Sequence, residues 1–126
     1  MVQTDISQLH AECSDWRQIL RNYRDEFHDY EKTLRETCRK SLPREQLPDV
    51  DHFQNQFDIQ LNNIHHLKQQ IKTHERKIEF ESSGAENLKE DTYAQHESIL
   101  NEFLHLESRL QELRNEFKEF ISKVSC

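Results

Sequence analysis

Apolar side chains recur along this chain at alternating intervals of three and four. The first run is Ile6, Leu9, Cys13, Trp16, Leu20, Tyr23, Phe27, Tyr30 and Leu34. That spacing lines one face of an α-helix and, kept up over several heptads, makes a coiled-coil seam. Asp5 followed by Gln8 has the form of a capping box, and the residue before Pro43 is driven out of the helical region. The pattern predicts a helix over about residues 5–41, roughly 55 Å long at ~1.5 Å per residue.

A second run starts after Leu47-Pro48-Asp49, where proline suits a first helical turn and Asp49 and Asp51 suit the positive end of the dipole. Its seam reads Val50, Phe53, Phe57, Gln60, Ile64, Leu67, Ile71, His74 and Ile78, predicting a helix over 48–81. Ser82-Ser83-Gly84 holds the chain's one glycine, a natural place to close one helix and open another, and Ser83 with Glu86 repeats the capping-box form. The third seam is Ala85, Lys89, Thr92, His96, Ile99, Phe103, Leu106, Leu110, Leu113, Phe117, Phe120 and Val124, predicting a helix over 84–124. Connections this short place neighbouring helices antiparallel. The expected fold is one all-α domain over residues 1–126: an up-down-up three-helix bundle with left-handed, coiled-coil-like packing.

Composition narrows the rest. One glycine and two prolines in 126 residues are too few for a β architecture or a phosphate-cradling loop. The mean hydropathy of -1.04 would suit disorder, but eleven regularly spaced aromatics do not. The net charge is -7, and all three thirds are acidic, so neither nucleic acid nor an anionic membrane is an expected direct partner. No apolar run approaches the ~20 residues that span a bilayer. Met1-Val2-Gln3-Thr4-Asp5 lacks the character of a secretory leader, and Cys13, Cys38 and Cys126 form no disulfide framework. The expected location is the cytoplasm.

Eight histidines invite a test for metal. With equal rise per residue counted from the two turns, Asp25-x-x-His28 and Glu102-x-x-His105 fall at nearly one height, with His65 and His66 close by. An acid and a histidine three apart share a helix face, as in di-iron bundles. With the seams taken as heptad positions a and d, however, His28 and His65 fall at b, and His66 and His105 at c. All four point outward, so no native metal site is expected from them. His74 and His96 differ because they stand on seams, about one turn apart and near Cys13 and Trp16. Cysteine with two histidines suggests zinc, but the spacing matches no zinc signature and a fourth ligand is missing. The favoured reading is a pair of partly buried, hydrogen-bonded imidazoles. If both are neutral, stability falls as pH drops below the unfolded value of ~6.5.

Catalytic templates are absent: there is no His-Glu-x-x-His and no Gly-x-Ser-x-Gly. Neither enzymatic activity nor a cofactor is expected. The more informative feature is a gap in charge. Between Asp51 and Lys68 the only charged residue is Asp58, whereas elsewhere acids and bases alternate every few positions. Loss of charge with retained polarity marks contact surfaces. Ile59, Leu61, Leu100 and Leu104 stand off the seams, and with Asn62, His65 and His66 they make up the predicted interface, unless the apolar members merely widen the core. The expected function is a non-catalytic interaction or scaffolding module whose partner is another protein, a second copy forming a homodimer included. The alternative is a metal- or small-ligand-binding bundle using the histidines.

Overall fold

The computed structural model describes residues 2–38, 44–84 and 88–124. They form α1 (Val2–Cys38), a single 3-10 turn (Arg44–Gln46), α2 (Leu47–Gly84) and α3 (Glu90–Val124), with no strand. The fold is therefore an all-α three-helix bundle. Pro43, Ala85, Glu86 and Cys126, and the side chains of Asp5 and Cys38, lie outside the described residues. No helix among those described is long and apolar enough to cross a membrane.

The three-four spacing translates directly into burial. Every seam position from Leu9 to Leu34 is buried except Tyr30, and all nine in α2 are buried, Gln60 and His74 included. Ile6, Tyr30 and Val124 pack against the core while partly open to solvent. Contacts between helices fix their relative level. Arg17 meets Glu75 and Phe27 meets Phe57, so partner positions descend along α2 as they rise along α1. Tyr23 reaches Glu107 and Glu26 reaches Arg114, so positions rise together along α1 and α3.

The core differs in character between its ends. Phe27, Phe57 and Phe117 are almost wholly enclosed and meet edge to face, with ring centroids 5.7 Å apart for Phe27–Phe57 and 5.0 Å for Phe57–Phe117. Phe53, Tyr30 and Phe120 complete this cluster. Burying each ring contributes about 1.5–3 kcal/mol, and a well-placed ring pair adds about 0.5–1.5 kcal/mol. At the opposite end the same seams carry Cys13, His74, Glu81, Thr92 and His96, all buried.

The second reversal departs from the sequence reading. Gly84 is the last residue of α2, and no described residue takes a positive φ, so it does not act as a left-handed cap. Ser83 Oγ donates back to Phe80 O at 3.0 Å within α2, instead of opening the next helix. Helix α3 starts six residues later than predicted, at Glu90, with Lys89 as the capping position: its carbonyl accepts from Thr92 N and Tyr93 N. Lys89 is consequently exposed, and Leu88 takes the buried place expected for it.

Candidate functional site

Three seam positions converge at the polar end of the core. Cys13 lies between Leu9 and Trp16 on α1, His74 between Ile71 and Ile78 on α2, and His96 between Thr92 and Ile99 on α3. The register of the bundle brings them to one level, each 5 % exposed or less. One ligand-type atom from each, the Cys13 sulfur and a ring nitrogen of either histidine, lie within 4.8 Å of one another. His74 Nε2 and His96 Nδ1 are 2.9 Å apart, and His96 Nε2 stands 2.9 Å from Glu12 Oε1. The Trp16 ring lies over His96 with centroids 4.7 Å apart, closing that side against solvent.

The proton arrangement follows from these contacts. An ionised carboxylate only accepts, so His96 Nε2 carries a proton and donates it to Glu12. In a neutral ring, His96 Nδ1 is then an acceptor, and His74 Nε2 donates to it. His74 Nδ1 is left as a bare lone pair, and it is buried with no partner in hydrogen-bond geometry. Such an orphaned group costs about 1–3 kcal/mol. Burial, followed by the neighbouring His96, pushes the His74 pKa down, against the opposing influence of Gln95 and Glu75.

Burial also pushes the Cys13 thiol up to about 12, helped by Glu75 and Glu12 and only partly offset by Arg17. Cys13 is therefore held as a neutral thiol, whereas nucleophilic chemistry needs a thiolate. Arg17 is itself engaged by Glu75, with Nε 2.5 Å from Oε1.

The four outward histidines do not assemble. Among the described residues the only group of three potential ligands is Cys13, His74 and His96. His28 pairs with Glu31 on its own helix, 3.1 Å away. The bonded pairs between α1 and α3 are separated by 84 to 88 residues, which sets His105 about two to three turns from the level of His28. The equal-height estimate fails because α3 begins later than the sequence pattern implies. His65 and His66 are both exposed.

The predicted interface residues are divided among different surroundings. Leu61 and Leu100 are partly buried and pack against the core, so they widen it. Ile59 and Leu104 are about half exposed, and Asn62 is exposed. His66 lines a groove between α2 and α3, together with Asn63, Gln70, Glu102, His105 and Arg109. Two further hollows share its residues and continue it, one toward Thr73 and Gln95, the other toward His52 and Glu116. The α2 wall of this groove carries no Asp, Glu, Lys or Arg, and the α3 wall carries Glu102, Glu112 and Glu116 against Arg109.

Sequence reasoning missed two functional-looking acids. Glu12 stands beside the seam, where periodicity is silent, and only a search of the seam histidines' flanks would have found it. Glu81 continues the three-four spacing one step past Ile78, so it was within reach. It is buried, accepting from Lys89 N at 3.0 Å and from the Thr92 hydroxyl at 2.7 Å.

No protein family matches the chain, and no curated protein or solved structure is significantly similar to it.

Proposed function

We propose that this bundle is a non-catalytic interaction module that receives a helix of a partner protein in the groove between α2 and α3. The observation that carries the reading is the placement of the charge-poor stretch: continued by Gln69, Gln70 and Thr73, it lines a groove whose α2 wall has no Asp, Glu, Lys or Arg. Helix-in-groove recognition needs a surface that is open lengthwise, and a wall without ions costs less to desolvate than a charged one. Amides and imidazoles in the α2 wall offer hydrogen bonds without the penalty of burying unpaired ions. The α3 wall is net acidic, so the partner helix carries Lys or Arg along one flank. A second copy of this chain is the poorer fit, because each copy brings a net charge of -7. The three scattered cysteines agree with a reducing compartment such as the cytoplasm.

The test is affinity capture from the native source with three forms of the chain. The double substitution His66→Glu with Gln70→Glu sets two carboxylates into the neutral wall. A partner should be retained by the parent and by Asp29→Ala, which alters an exposed site on α1. The groove variant should retain it at least tenfold less, equivalent to about 1.4 kcal/mol. Equal capture by all three forms would refute the reading. A parent that sediments as a dimer, and as a monomer when the groove is altered, would replace the partner with a second copy.

A further inference from the structure

We propose that Cys13, His74 and His96 bind a single transition-metal ion of borderline-soft character, zinc foremost, with Glu12 orienting His96 from outside the coordination sphere.

Geometry comes first. Zinc bonds of ~2.3 Å to sulfur and ~2.0–2.1 Å to nitrogen place the ligand atoms of a tetrahedral ion about 3–4 Å apart. The three donors already lie within 4.8 Å of one another, and the two imidazoles, at 2.9 Å, need only part slightly. The donors come from three helices at one level, so the packing that builds the bundle also builds the site.

The donor set decides the class of ion. One thiol and two imidazoles suit zinc and its neighbours, whereas magnesium and calcium take oxygen ligands. A histidine bound to metal commonly passes its other ring N–H to a carboxylate, which fixes the tautomer. His96 has that arrangement: Nε2 is held by Glu12, and Nδ1 faces the cluster. With His74 Nε2 and His96 Nδ1 turned to an ion, both rings give it a lone pair, and the proton of His74 moves from Nε2 to Nδ1.

On binding, the Cys13 S–H bond breaks, its proton leaves to solvent, and the thiolate replaces one water of the hydrated ion. No electron is transferred. Three protein ligands leave one coordination position for water or an incoming ligand. Glu12, whose side chain is 38 % exposed, marks the side on which solvent reaches the cluster.

The experiment uses the whole chain, reduced and stripped with a chelator, and titrated with cobalt(II) as a spectroscopic stand-in for zinc. In the double variant Cys38→Ser/Cys126→Ser, Cys13 is the only thiol. One equivalent of cobalt should saturate a sulfur-to-cobalt charge-transfer band together with d–d bands of tetrahedral intensity, and zinc should bleach both. Glu12→Gln should keep the spectrum and weaken affinity by about tenfold to a hundredfold. Cys13→Ser, with helicity checked by circular dichroism, should lose the charge-transfer band. A double variant that gives no saturable band under excess cobalt overturns the proposal, however the other variants fold. A band that survives Cys13→Ser also overturns it.

Discussion

Glu81 shows how much one side chain can settle at a helix junction. It sits in the last turn of α2, yet accepts the backbone N–H of Lys89 and the hydroxyl of Thr92, at the start of α3. Burial works against its charge, but these hydrogen bonds, with the charges of Lys77 and Lys89, outweigh it and hold the carboxyl below its ordinary range. A carboxylate whose folded pKa is depressed gives stability that is complete above the unfolded value of ~4.3 and is lost as pH falls through the folded value. Glu81→Ala should therefore cost about 1 kcal/mol at pH 7, the usual loss for a removed cap. Its deficit relative to the parent should shrink as pH falls below about 4. Urea denaturation of both proteins at several pH values measures this. A deficit unchanged down to the acid transition would mean that the carboxylate's charge is not what stabilises the junction.

At the scale of the helices, the aromatic end of the core is built of rings in mutual contact. Phe57 is fully buried against Phe27, Tyr30, Phe53 and Phe117. Truncating it leaves a cavity the surrounding rings cannot close, so Phe57→Ala should lose about 3–5 kcal/mol. Phe80, on the same helix and 79 % exposed, is the control: Phe80→Ala should stay within about 0.5 kcal/mol of the parent. Equal losses from the two would contradict the assigned core.

Between α1 and α3 the Glu26 carboxylate is gripped by Arg114 through two bonds of 2.7 Å, with the Tyr30 hydroxyl also donating to Glu26. Both charged side chains are more than a quarter exposed, so screening limits the effect of Arg114→Met to about 1 kcal/mol, readable from the urea midpoint. These elements differ in how far sequence could reveal them. Phe57 was legible because its position follows from a period that needs only neighbouring residues. The Glu26–Arg114 pair depends on the level of α3 against α1, which no local pattern encodes. Equal spacing from the turns misplaces that level, because the cap of α3 is supplied by Glu81 and not by Ser83. The Cys13, His74 and His96 cluster was legible as seam positions, and its register was near enough to bring them within a turn. Glu12 was not legible, because a flanking acid on a solvated helix has the same sequence signature as any other.

Across the whole molecule, the two ends of one continuous core are held by different physics. From Phe27, Phe57 and Phe117 outward, the core is made of interlocked rings that lose packing only when the helices separate. Around Cys13, His74 and His96 it is made of polar groups whose bonds water can replace, and one of whose nitrogens has no partner in hydrogen-bond geometry. Opening the polar end therefore exposes less apolar area and relieves an unsatisfied group, so it needs less free energy than global unfolding. Native-state hydrogen exchange on the metal-free chain should resolve this as a gradient. Amides near Phe27, Phe57 and Phe117 should exchange only with global unfolding. Those near Cys13, His74 and His96 should exchange through a smaller opening that urea barely accelerates, because little surface is exposed in it. Swapping His74 and His96 together for Leu removes the orphaned nitrogen without unpairing the other ring, adds apolar contact, and should raise protection at that end selectively. Uniform protection along all three helices in the parent would show that the bundle opens as a single unit and that its polar end is not a separate, weaker part.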